Sequence, residues 1–227
     1  MGLEGFKQLK TGLIAALQRS ESYLHHDVVS ADSASSAASK ILESSIETLV
    51  DLRQQISRMP FAAAAGKMKT ARQITFVGLG ASGHVASDAC HKFFRLGIPC
   101  TTALDTPGVL QQASVCQPGD VFVAISHTGR WPEMIRGMRL ARARGAETIA
   151  VTDADSPLAE VVGLIFPSHA DEDTSVYTPM SSRLAQLTLL DALQVSVALA
   201  VGPKAENNLR STKAALVQER YETGANS

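Results

Sequence analysis

Apolar residues recur at two different periods along this chain, and the change between them divides it. In residues 5–18, Phe6, Leu9, Leu13 and Leu17 share one helical face. Residues 19–30 keep no such period and read as a linker. A stretch rich in Ser and Asp, 31–36, suits a helix start. Leu42, Ile46, Leu49, Leu52 and Ile56 then hold helical spacing towards Arg58. Pro60 marks the end of that helix, because the residue before a proline is pushed out of helical geometry. Residues 61–70 predict a further helix.

From residue 74 the pattern shortens. Residues 74–77, 100–103, 121–126, 148–152 and 164–167 are brief apolar or β-branched runs, separated by helical patterns or loops. Strands alternating with helices predict βαβ units and a parallel sheet. Gly97 suits a helix stop, and Gly145 suits the stop after a helix at 132–144. Pro132 fits the first helical position, with Glu133 favourably placed in the first turn. Residues 179–201 are apolar on nearly every face, which predicts a helix buried on all sides or completed by a partner subunit. Gly202 and Pro203 break it, and a polar helix follows. The predicted fold class is α/β, a doubly wound three-layer parallel sheet with a helical N-terminal extension. The expected division is a leading helix and linker at 1–30, a helical extension packed on the core at 31–72, the α/β domain at 73–221 and a tail at 222–227.

Composition removes several function classes. Hydrophobic residues make up 45% of the 227 and charged residues 19%, so a well-filled core is within reach. The formal net charge of -1 provides no global basic field for nucleic acid or membrane. Cys90, Cys100 and Cys116 are odd in number and form no C-x-x-C pair, which disfavours a disulfide framework or zinc site and fits a reducing cytoplasm. Lys7 and Lys10 interrupt the first apolar patch, unlike a secretory signal. The apolar run 189–201 contains Asp191, Gln194 and Ser196 and falls short of the roughly 18 residues of a membrane span. The expectation is a cytoplasmic protein with no membrane partner.

Two constellations carry chemistry. In the first, the run 74–77 enters Gly78-Leu79-Gly80-Ala81-Ser82-Gly83. Glycine lets backbone approach a ligand closely, a helix start offers free amides and partial positive charge to an anion, and Ser82 adds a hydroxyl. The same glycines match G-x-G-x-x-G, and Asp105 lies 22 residues beyond Gly83. That spacing leaves a dinucleotide site open beside a phosphosugar site. In the second, the run 121–126 enters Ser126-His127-Thr128-Gly129-Arg130-Trp131-Pro132. Ser126 and Thr128 can donate hydrogen bonds, and the amides of residues 127–130 can cradle an anion. With strand order 2-1-3-4-5, the two loops follow strands 1 and 3 and flank the point where the order reverses, where such sheets bind ligands.

Together these loops resemble the two ligand loops of the sugar isomerase (SIS) family. The resemblance is closer still to the sugar-sensing domain of RpiR-type bacterial transcription regulators, and to their HexR subgroup. It is carried by Gly80-Ala81-Ser82-Gly83, His91-Lys92-Phe93-Phe94, Gly119-Asp120-Val121-Phe122-Val123, Thr128-Gly129-Arg130, Asp173-Thr174 with Tyr177, Pro179-Met180, Ser182-Arg183, Gln186-Leu187-Thr188 and Leu190-Asp191. It covers roughly residues 68–221. The resemblance implies a flavodoxin-like order in a homodimer or tetramer that binds a sugar phosphate. For the subgroup the implied ligand is 2-keto-3-deoxy-6-phosphogluconate. It places Ala81, Ser82, Gly83, Ser126, His127, Thr128 and Gly129 at the ligand, with Ser82, Ser126 and Thr128 as hydroxyl donors and His127 acting chiefly through its amide. Arg183 is a ligand-binding or interface residue. Where many members carry Thr or Ser, this chain has Trp131, which has no hydroxyl to give a phosphate.

RpiR-type regulators also carry an N-terminal helix-turn-helix domain, and residues 5–13 resemble only its last helix. The expectation is an effector domain that reaches DNA only through that absent domain. The competing reading is an aldose–ketose phosphosugar isomerase, with Glu172 in Asp171-Glu172-Asp173, or His127, as the base. The plainer reading of Glu172 is a solvated loop. His84 and His91 lie seven residues apart without further ligands around them, and no metal or cofactor is expected.

Overall fold

The computed structural model describes residues 25, 27–170, 172 and 178–224. The helix expected at 5–18, and Asp171, Asp173, Thr174 and Tyr177, lie outside the described residues.

Ser33 opens the first helix, α1 (Ala34–Gln55), its hydroxyl accepting from the Ser36 amide at 3.1 Å. Its start falls inside the predicted Ser-rich stretch. A 3-10 turn carries the chain to Pro60 and α2 (Phe61–Met68). The α/β alternation then runs β1 (Gln73–Gly78), α3 (Ala81–Phe93), β2 (Cys100–Ala103), α4 (Thr106–Val115), β3 (Asp120–Ile125), α5 (Pro132–Ala143), β4 (Glu147–Thr152), β5 (Leu164–Pro167), α6 (Ser181–Val201) and α7 (Pro203–Gly224). Each strand overlaps its predicted run within about a residue. Gly97 and Gly145 end their helices at φ 83° and 88°, the left-handed conformation that glycine adopts most readily.

All four strand pairs are parallel, and the order is β2-β1-β3-β4-β5, the order expected for a doubly wound sheet. A parallel sheet covered on both faces needs apolar side chains at successive positions, and every residue of β3 is buried. Its alternation feeds two cores. Val121, Val123 and Ile125 join Phe76, Phe93, Phe166 and Leu189 on one face. Phe122 and Ala124 join Val109, Met134 and Met138 on the other. The Phe76 and Phe93 rings meet at 5.1 Å, and Phe61 meets Phe166 edge-on at 5.0 Å. Each such ring contributes about 1.5–3 kcal/mol by burial.

The helix α6 touches α1, α2, α3 and α7. By length and composition alone it reaches the size of a membrane span. The shorter run 189–201 did not indicate this. Its inner face nevertheless packs Ala185, Leu189, Leu193 and Val197 into the sheet's core, and Asp191 pairs with Lys92 of α3. Val195 and Leu199 on its outer face are exposed, so within one chain the helix is not buried on all sides.

Candidate functional site

Register places the two loops side by side. Gly78, the last residue of β1, is the partner of Ile125, the last residue of β3, so both loops leave the sheet at one level where the strand order reverses. At the first loop, a Cβ on Gly78 would stand 2.4 Å from the Ser82 carbonyl oxygen. Only a glycine lets α3 start this close to the strand. Gly80 caps α3 at φ 57°, and its carbonyl accepts from the Gly83 amide at 3.0 Å. Ala81 and Ser82 therefore present the first-turn amides, which have no intrahelical acceptor. Asp105, the residue that kept a dinucleotide site open, caps α4: its Oδ1 accepts from the Gly108 amide at 2.6 Å.

At the second loop, the buried Ser126 hydroxyl accepts from the Gly129 amide at 3.0 Å. That leaves its proton free to donate outward. It also turns the Gly129 amide inward, so this amide does not join the anion cradle expected over residues 127–130. The His127 ring donates from Nε2 to the Glu172 carbonyl at 3.1 Å, since a carbonyl can only accept. Its buried Nδ1 has no partner among the described residues. The imidazole thus ties the loop to the segment before α6, a role beyond the backbone contact expected of it.

These loops and the start of α6 enclose a cavity of about 240 Å³. It brings together Ala81, Ser82, Ser126, His127, Thr128 and Arg183. The buried Gly83 and Gly129 stand behind it and shape the loops. Trp131 also lines the cavity; it occupies the N-cap position of α5 without capping it through its side chain, and is 54% exposed. Arg183 is half-buried; among the described residues its Nε has no partner, and Nη1 donates to the Pro179 carbonyl at 3.5 Å. Among the described residues no carboxylate pairs with it. Beyond His127 and Thr128 a second hollow of about 360 Å³ is lined by Asp153, Ser156, His169 and Glu172. There the Asp155 amide and His169 imidazole hold the Asp153 carboxyl below its ordinary value.

Glu172 corrects the plainer reading of it. It is 7% exposed, so it is no solvated loop residue. Its Oε1 accepts from the amides of Met180 at 2.6 Å and Ser181 at 3.0 Å. Its Oε2 accepts from the Ser182 amide at 3.1 Å and the Ser182 hydroxyl at 2.5 Å. Burial alone would raise its pKa, but the Ser182 hydroxyl and the three amides outweigh that and hold it below the usual value. A carboxylate so held is a weak base. It caps α6 from a distant segment.

Among the lining residues that the sequence did not place at the ligand, Gln186 stands out. Gln186 is 1% exposed, lines the cavity and, among the described residues, has no partner for either side-chain polar atom. The available signal was its phase: a polar side chain where α6 otherwise turns Ala185, Leu189 and Leu193 inward.

A family model described as SIS domain matches residues 67–196. Over 224 residues the chain is 39% identical to the HTH-type transcriptional regulator HexR of Escherichia coli, spanning 98% of this chain and 77% of that protein. It is 37% identical over 220 residues to HexR of Pseudomonas aeruginosa, spanning 97% and 77%. Among solved structures, the Vibrio vulnificus NanR protein complexed with ManNAc-6P aligns with a TM-score of 0.75, over 83% of this chain and 70% of that one. At 23% identity this likeness speaks for the fold.

Proposed function

Because the chain belongs to the SIS domain family, and two curated relatives are HexR regulators, we propose that it is the effector-binding domain of an RpiR/HexR-type transcriptional regulator. The ligand we propose is 2-keto-3-deoxy-6-phosphogluconate or a related sugar phosphate. The observation that carries this reading is the cavity at the switch point, with the Ser82, Ser126 and Thr128 hydroxyls and the α3 first turn on one side and an unpaired Arg183 on the other. The phosphate sits among the hydroxyls and amides, where the positive end of α3 adds to their pull. Occupancy biases the regulator's geometry and, through it, DNA binding by a helix-turn-helix unit. The isomerase reading loses its best base, since Glu172 is engaged as a helix cap.

Calorimetric titration with 2-keto-3-deoxy-6-phosphogluconate, fructose 6-phosphate and inorganic phosphate tests this. Selective binding of the keto-deoxy acid without turnover is expected; product formed from an aldose or ketose phosphate would restore the isomerase. Ser82→Ala and Ser126→Ala are each expected to weaken binding by about 1–3 kcal/mol, the cost of leaving a buried polar group unpaired. Unchanged affinity in both variants would remove the two-loop site.

The same reading has the protein work in the cytoplasm as a homodimer or tetramer. Leu42 and Ile46 on α1, and Val195 and Leu199 on α6, are exposed apolar side chains that self-association would cover. Sedimentation at micromolar concentration is expected to give an oligomer. A monomer would sink this part of the reading.

A further inference from the structure

The cavity has two chemically different ends. One end offers the hydroxyls of Ser82, Ser126 and Thr128. At the other, the amides of Met180, Ser181 and Ser182 are already taken by Glu172, and so is the Ser182 hydroxyl. What α6 still presents there is Arg183 and, three residues on and on the same face, Gln186. The Arg183 Nε and both polar atoms of the Gln186 amide are buried without partners among the described residues. A buried, unpaired primary amide destabilises a fold. A leucine at this phase of α6 would continue the packing of Ala185 and Leu189 into the core. The amide therefore costs the free protein stability that a bound ligand can return.

We propose that Arg183 and Gln186 form a second subsite, which holds the end of the ligand remote from the phosphate. This rests on the phosphate lying at the hydroxyl end. The guanidinium, with no carboxylate of the described residues against it, takes an oxyanion. The amide offers one donor and one acceptor site close together, so it takes a carbonyl or hydroxyl beside that oxyanion. Such an end suits the carboxylate, next to a keto or hydroxyl carbon, of the ligand already proposed. Gln186 is the residue that selects it over phosphate alone and over neutral sugar phosphates.

The test titrates wild type and Gln186→Leu with inorganic phosphate, glucose 6-phosphate, 6-phosphogluconate and 2-keto-3-deoxy-6-phosphogluconate, and melts both proteins without ligand. Wild type is expected to prefer the acid phosphates. In Gln186→Leu, affinity for the better acid falls about tenfold, affinity for inorganic phosphate holds, and Tm rises by roughly 2–4 °C. Gln186→Met gives the same pattern without branching, should leucine fit poorly. Unchanged acid affinity, equal loss for acid and phosphate, or a lower Tm in both variants overturns the subsite and leaves the phosphate site standing. Wild type that binds none of the four overturns the phosphate site and the subsite with it.

Discussion

Gly129→Ala is expected to cost about 2–5 kcal/mol of stability and to abolish tight phosphosugar binding. Two independent penalties meet there. The residue sits at φ 60°, where an L side chain costs about 1–2 kcal/mol. A Cβ would also stand 2.4 Å from the Ser156 hydroxyl and 2.6 Å from that of Thr152. Both neighbours are fully buried and bonded to each other, and Ser156 also accepts from the Ala159 amide, so neither can swing away. Forcing a methyl into such packing costs typically 1–3 kcal/mol. Relief requires the loop to lift, and the loop is held by the Gly129 amide on Ser126 and by the Leu158 amide on the Gly129 carbonyl. Lifting it displaces the Ser126 and Thr128 hydroxyls from the cavity. Thermal unfolding should show a midpoint lower by roughly 5–15 °C. Titration well below that midpoint should show affinity for the phosphosugar reduced more than tenfold. A variant that melts with the wild type would mean that the loop adapts, and would remove the rigid-cradle account.

The strands were legible because a parallel sheet buried on both faces leaves continuous apolar runs, and β3 is buried from end to end. The ligand loops were legible because the glycines and hydroxyls they need are contiguous in sequence. By contrast α4 gives a weak signal: it holds Pro107, Gly108, two glutamines and a serine, and buries only Val109 and Ala113. Asp105 illustrates how one spacing serves two purposes. It lies where a dinucleotide site wants an acid, yet its carboxylate caps α4. The role of Glu172 was hidden for a different reason. Its partners lie eight to ten residues further along the chain, and no periodic pattern reports a cap donated from outside the helix. Gln186 was hidden by its surroundings, one of several polar positions in a helix read as apolar on nearly every face.

Glu172 also gives the prediction on which the two functional readings part most sharply. Glu172→Ala removes the acceptor for three amides and one hydroxyl at the start of α6, and hydrogen bonds to a charged acceptor are worth about 1.5–3 kcal/mol each. Met180 is exposed enough for water to replace part of this. The net loss expected at pH 7 is about 3 kcal/mol, seen in urea unfolding. Glu172→Gln keeps one acceptor but turns an NH2 towards donors, so it should lose nearly as much. The folded carboxyl titrates below its ordinary value. As pH falls below that value, the unfolded chain takes up a proton before the folded one does, and the unfolded state gains. The stabilisation is therefore whole above about pH 5, near and beyond the ordinary glutamate value, and is lost as pH drops through the folded pKa. The gap between wild type and Glu172→Gln should be constant from pH 7 to 5 and close below it, while the other carboxylates cancel in the comparison. Because Arg183 and Gln186 ride on the helix that Glu172 caps, ligand affinity should fall with stability in the same variant. A catalytic base would behave the other way: its replacement by glutamine would stop turnover of an aldose or ketose phosphate and leave the unfolding curve where it was.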